Sequence, residues 1–446
     1  MILVRFMYRR WRLFVSLAFC ISMCVLPFFS HGVAVNPVPC NGGWLEERDG
    51  IRILHLSGSF YEMGFQQGTL LRDEILINNN AFLHWFDKRE VSYEDLLQSW
   101  LLMQPSIPSR YIEEMQGIAD ATGLSLEDVA VLNVGPYFVI NCGSFAAWGP
   151  ATLNGTLYHA RSHDFPITIQ DPDTGAYLVE NQLLIVRVPE GCFKSISPSL
   201  AGDVTCSDGI NEMGIVPGML SSWTADETYQ GIGVGFRVRI ALDCAATLAE
   251  AVQLLAQNRT LGYNFIVSDG KIPAACAVET TAHYFYVGSW DTPSEGVAPF
   301  WQISHVVRRA NLFVDPTLSE TQRSRYDPSR FPLCSFLFKR NTLSGTSLSA
   351  AGPFMHYVAL SKGVQARYGA LDLQTSMAVL RDVYAGKTDI RFFILQIFHW
   401  YSTPYQWVLC PETGEFLLSF ASHTRNAFES PVHLFDMHEV FSAQPP

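Results

Sequence analysis

Apolar residues recur at roughly helical spacing over residues 61–75, broken by Gly64 and Gly68. Shorter amphipathic stretches at 93–102 and 111–121 continue the pattern, and Ser125 with Asp128 forms a capping box before a helix reaching Leu132. Pro37, Pro39, Gly42 and Gly43 mark a flexible lead-in, and from there to about residue 133 the chain reads as mainly helical. The texture then changes. Residues 137–140 are a short apolar run suited to a buried strand, 144–148 stay extended, and Asn154 followed by Gly155 is a strong hairpin signal with 157–165 as the returning strand. Further strands are predicted at 183–188, 265–267, 274–278, 284–287, 406–409 and 416–420. Turns fall at 171–175 and 411–414, and helices at 245–257 and 375–384. Strands and helices come in separate runs, which predicts an α+β layered fold and not a doubly wound sheet.

The amino terminus stands apart. Arg5, Arg9, Arg10 and Arg12 precede an apolar run over residues 13–29, followed by small or polar residues over 30–34. That is the layout of a secretory signal peptide; an uncleaved anchor is the alternative, although the run is short for a bilayer and contains Pro27. The expected location is therefore periplasmic or secreted, with anchoring by residues 1–34 left open. The formal charge of −12 becomes −16 without the four leader arginines. An acidic body with no basic block excludes nucleic acid as a partner and offers nothing to an anionic membrane surface.

Of the ten cysteines, eight lie beyond the leader, widely spaced and without a C-x-x-C pair, so neither a zinc ribbon nor a thioredoxin site is expected. His159 and His163 have H-x-x-x-H spacing, but two ligands so spaced need a helix and this segment reads as a strand. No cofactor or metal is expected. Asn154 and Asn258 begin glycosylation sequons by pattern.

The hairpin concentrates the chemistry. With Asn154 and Gly155 as a two-residue turn, paired positions sum to 309, Cys142 falls opposite residue 167, and Arg161 and Asp164 lie within a few residues. A guanidinium near a thiol favours the nucleophilic thiolate, and a carboxylate can hold the arginine or orient an amine. A cysteine at the start of a strand is equally compatible with a core residue.

The run from Asn141 through Cys142, Gly143, Ser144, Phe145, Ala146, Ala147 and Trp148 to Gly149, then Gly155, then His159-Ala160-Arg161-Ser162-His163-Asp164-Phe165, resembles the core motif of the acyl-coenzyme A:6-aminopenicillanate acyltransferase family. Leu56 to Gly68 is similar to its opening motif, as are Gly209 to Gly214 and the segment around Val379 to Asp382. The resemblance implies an N-terminal-nucleophile (Ntn) αββα four-layer sandwich and autoproteolysis between Asn141 and Cys142. Cys142 then becomes both nucleophile and, through its new α-amine titrating at about 7.7–8.0, base. It further implies roles for Arg161 and Asp164, for Asn264 as oxyanion donor, and for a downstream arginine, Arg325 with Arg308 as rival. Residues 1–34 would be leader, 35–141 a helical light chain, and 142–446 the catalytic heavy chain, with the two chains remaining associated. The expected activity is that of an amidohydrolase or acyltransferase on small N-acyl compounds. A non-catalytic binding relative and a phospholipase-like esterase are the competing classes. The chain departs from the motif in two places: Ser162-His163 stands where Asn-Leu is common, and Gly143 replaces a common Ser.

Overall fold

The computed structural model describes residues 42–135, 141–322, 338–340, 347–349, 351–399 and 402–445. Its first element is a hairpin, β1 (Trp44–Arg48) and β2 (Ile51–Gly58), where the sequence predicts only a lead-in to helices. The discrepancy has a physical cause. Ile53 and Leu54 are both fully buried, so β2 is covered on two faces and shows no alternation to read.

Five helices follow: α1 (Phe60–Leu70), α2 (Arg72–Asp87), α3 (Tyr93–Met103), α4 (Ser109–Thr122) and α5 (Leu126–Val134). Ser59, Ser92 and Ser125 start three of them, each in a reciprocal capping box with Glu62, Asp95 or Asp128. The glycines that break the apolar spacing let α1 touch α4 backbone to backbone. A Cβ on Gly64 would lie 1.8 Å from the Glu114 carbonyl oxygen, and one on Gly117 would lie 2.2 Å from that of Tyr61.

Strands of the two main layers that follow are β3 (Asn141–Gly149), β4 (Gly155–Asp164), β5 (Gln182–Pro189), β6 (Ser195–Leu200), β7 (Ile210–Asn211) and β8 (Ile215–Ser221), then β9 (Tyr263–Asp269), β10 (Ala274–Thr280), β11 (Phe285–Gly288), β12 (Val306–Arg309), β13 (Tyr405–Leu409), β14 (Glu415–Phe420) and β15 (His433–Asp436). Helices α6 (Val234–Cys244) and α7 (Leu248–Leu255) precede β9, and α8 (Ala351–Gln365), α9 (Leu373–Tyr384) and α10 (Ile390–His399) precede β13.

These build four layers. One inner sheet has the order β12-β3-β4-β13-β14-β15. The facing layer joins β1-β2-β5-β6-β7 to β11-β10-β9-β8 through a bridge between Asp208 and Gly218. Alternation explains the stacking. Trp407, Leu409, Phe416 and Leu418 turn inward to Ile53, Leu184 and Val186. Val408 and Leu417 turn outward to the cluster of α8 and α9. Helices α6 and α7 cover the outer face of the second layer. The fold is thus α+β, an αββα sandwich with the amino-terminal helices packed on β2 and β5.

The β3–β4 hairpin differs from expectation in register. Its loop is Pro150–Asn154, five residues and not two, so Cys142 pairs with His163 and Asn141 with Asp164. Asn154 and Gly155 do take the positive φ values of 63° and 80° that their sequence announces. They end a longer loop rather than forming the whole turn.

The close crossing of α1 and α4 generates a test. Gly64→Ala and Gly117→Ala should each lower the urea unfolding midpoint, by about 1–3 kcal/mol of overpacking. An unchanged midpoint would mean that the helices part without cost.

Candidate active site

Cys142, Ser144, Ala146 and Trp148 of β3 face the second sheet layer, whereas Gly143, Phe145 and Ala147 face the helices. On β4, His159, Arg161 and His163 share the inner side with Cys142. The site is therefore laid between the sheets, and Cys142 is completely buried there.

Arg161 organises it. Its Nη2 donates to Cys142 Sγ at 3.1 Å and approaches His163 Nδ1 at 3.3 Å. An Nη2 carries two hydrogens, one for each partner. The Arg161 Nε lies in ion-pair contact with Asp208, whose carboxylate also accepts the Tyr405 hydroxyl at 3.0 Å. Tyr405 in turn stacks on His163, with ring centroids 4.7 Å apart. Burial works against the Arg161 cation, but Cys142 and Asp208 outweigh it and hold the guanidinium above its ordinary value.

Burial pushes the Cys142 thiol up to about 12, with Arg161 opposing the shift, so the sulfur is protonated at neutral pH. Burial likewise raises Asp208 to about 6 against the pull of Arg161. His163 is driven well below its usual value by burial and then by Arg161, which leaves it neutral.

The Cys142 backbone N–H donates to Asn311 Oδ1 at 2.7 Å, and Asn311 Nδ2 is fixed on the Ser221 carbonyl at 2.8 Å. Asn311 thus holds the nitrogen that becomes an α-amine if the chain is cut before Cys142. Neither Asn311 nor Asp208 is singled out by the sequence. Each arrives from a distant segment, and only the fold brings them to the hairpin.

The other anticipated residues sit as follows. Asp164 points to the helical side, accepting from Tyr384 Oη at 2.6 Å and Thr403 Oγ1 at 2.9 Å. Its backbone N–H hydrogen-bonds the Cys142 sulfur. The carboxylate that grips Arg161 is Asp208, not Asp164. Asn264 spends its amide on the carbonyls of Ala310, at 2.9 Å, and Leu312, at 2.5 Å. It braces the segment that carries Asn311 and has no N–H left for an oxyanion as placed. Arg308 faces α8, with Nε 2.7 Å from Ser361 Oγ, and so lies on the side away from Cys142. Arg325 lies outside the described residues. His159 is held by Ser268 Oγ at 2.9 Å, separately from His163.

A mainly apolar cleft opens beside His163 and Tyr405. Phe82 of α2 and Leu132 of α5 line it together with Phe165 and Leu178, so segments from both sides of Cys142 form its walls.

The fold and the site thus define an αββα sandwich with a buried cysteine at the head of an inner strand. Comparison with known proteins finds a likeness: the model of acyl-coenzyme A:6-aminopenicillanic acid acyl-transferase matches residues 158–347, the region holding Arg161, Asp164, Asp208, Asn264 and Asn311. The chain is 23% identical over 317 residues to Protein dcd1B of Dictyostelium discoideum, an alignment covering 62% of this chain and 61% of that protein. It is 26% identical over 258 residues to an uncharacterized protein of Archaeoglobus fulgidus, covering 50% and 42%. The chain thus spans less than two thirds of the length of these relatives. Among solved structures, the N-acylethanolamine-hydrolyzing acid amidase ortholog of Caenorhabditis elegans aligns with a TM-score of 0.38 and 14% identity, covering 61% of this chain and 93% of that one.

Asp164 supplies a pH test. Burial raises it from 3.8 to about 7, against hydrogen bonds from Tyr384, Thr403 and Ser162. The folded state therefore keeps this proton longer than the unfolded chain. Its contribution to stability is complete below pH 3.8 and is lost as pH rises through about 7. Asp164→Asn should flatten this part of the stability–pH curve, followed by urea unfolding across that window. An unchanged slope would contradict the assignment.

Proposed function

We propose that this chain is a cysteine amidohydrolase or acyltransferase that acts on the amide bond of small N-acyl compounds after cutting itself between Asn141 and Cys142. The observation that carries this reading is the double hold on Cys142. Arg161 donates to its sulfur at 3.1 Å while Asn311 accepts from its nitrogen at 2.7 Å. A core cysteine needs neither partner.

In the cut, the Cys142 sulfur attacks the Asn141 carbonyl carbon. The C–N bond breaks, the nitrogen takes the thiol proton, and a thioester forms. Water then hydrolyses it to an Asn141 carboxylate, regenerating the thiol beside a free α-amine. In turnover that amine takes the thiol proton as sulfur attacks the substrate carbonyl, then returns it to the departing amine. Water or another amine resolves the acyl-thioester, the difference between hydrolase and acyltransferase. Arg161 stabilises the thiolate in both stages, and Asn311 keeps the amine turned toward it. A neutral thiol sealed from water before the cut makes the uncut chain a dormant precursor.

The cleft fits an apolar acyl group. Phe82 and Trp85 pack on Phe165 at 5.7 and 5.8 Å, a contact across the cut that would keep the two fragments together. In this reading residues 1–34 direct export and the mature enzyme is periplasmic or secreted, with anchoring as the alternative.

Intact-mass measurement with amino-terminal sequencing tests the processing. Purified wild type should yield fragments ending at Asn141 and beginning at Cys142, and Cys142→Ala should stay whole. An uncut wild type that turns over amides, or a cut elsewhere, would overturn the proposal.

A further inference from the structure

The residue that departs from the family motif at 163 lies at the junction of nucleophile and cleft. His163 pairs directly with Cys142 across the hairpin, and its ring also lines the cleft. The stacked Tyr405 ring fixes the imidazole plane, with an interplanar angle of 11°.

Hydrogen-bond chemistry sets the tautomer. A guanidinium can only donate, so Arg161 Nη2, 3.3 Å from Nδ1, makes that nitrogen an acceptor. The neutral ring must then carry its hydrogen on Nε2. That atom has no protein partner among the described residues, and it is not among the sealed polar atoms that lack one. The groups facing the ring are the Arg161 cation, the Tyr405 ring and the Cys142 strand. None of them accepts the Nε2 hydrogen.

We propose that His163 is a specificity-determining residue. It offers a fixed Nε2–H at the cysteine end of a mainly apolar cleft, which Gln182, Ser199, Asp203 and Ser207 also line, and it selects acyl groups that carry a hydrogen-bond acceptor oxygen within a few bonds of the scissile carbonyl. An all-carbon acyl chain fills the same space but leaves the donor unpaired when water is expelled, which costs binding. The inference rests on the amidase reading and on the cleft as the acyl site.

The test uses the processed protein and two matched para-nitroanilides, one alkoxyacetyl and one the alkanoyl isostere of equal length. Wild type should favour the alkoxyacetyl probe by about tenfold in kcat/KM, the size of one neutral hydrogen bond. In His163→Leu, which keeps bulk and removes the donor, the ratio should fall to about one. His163→Gln, which restores an N–H, should recover part of the preference. Thermal melting of each variant separates a selectivity change from misfolding. A wild-type ratio near one, or a ratio unchanged in His163→Leu, overturns this proposal and leaves the amidase reading standing. Turnover of neither probe by wild type counts against the amidase reading itself, and the proposal falls with it.

Discussion

A guanidinium sealed between two sheets is the constraint around which the centre of this molecule is arranged. Arg161 is fully buried, and a cation there is tolerable only with a counter-charge. Asp208 provides the charge from the seam where the two halves of the second layer meet. His163 and Cys142 occupy the far end of the group. Removing one member of a buried pair of this kind typically costs about 3–5 kcal/mol. The requirement that folds the centre of the sandwich is therefore the one that aims a cation at the sulfur.

Strand alternation divides the polar groups into two compartments. Inward residues of β3 and β4 meet Asp208, Asn311 and Ser268, while outward ones meet Tyr384 and His356. Gly143 shows how tight the outer side is. A Cβ there would sit 2.3 Å from His356 Nε2, so the glycine accommodates an imidazole packed against the backbone beside Cys142. Asp164 belongs to this outer compartment by its carboxylate and touches the inner one only through its backbone.

Much of this was legible in the sequence because the signals are local. The capping serine Ser125, the positive-φ backbone of Asn154 and Gly155, and most of the short apolar strands are read from neighbouring residues and appear where those residues predict them, while the expected strand at 137–140 lies outside the described residues. The β1–β2 hairpin was hidden by burial on both faces. The β3–β4 register was misplaced because a dipeptide announces a turn but not the length of its loop. At the site, Cys142 and Arg161 were visible because one hairpin carries both. Asp208 and Asn311 lie 66 and 169 residues beyond Cys142, and neither has a motif of its own. Asn264 was singled out through the family resemblance, yet its amide braces the neighbouring loop. That distinction depends on which carbonyls pass nearby, and a one-dimensional pattern does not contain it.

The central claim is that the Cys142 sulfur forms the covalent bond to substrate. The most direct measurement is acid quenching of the processed protein during turnover of an N-acyl para-nitroanilide, followed by peptide mass mapping. The account predicts one acyl group on the peptide that begins at Cys142, released by hydroxylamine as a thioester is. Anilide release with Cys142 unmodified at every quench time, or the acyl group on another residue, would contradict it.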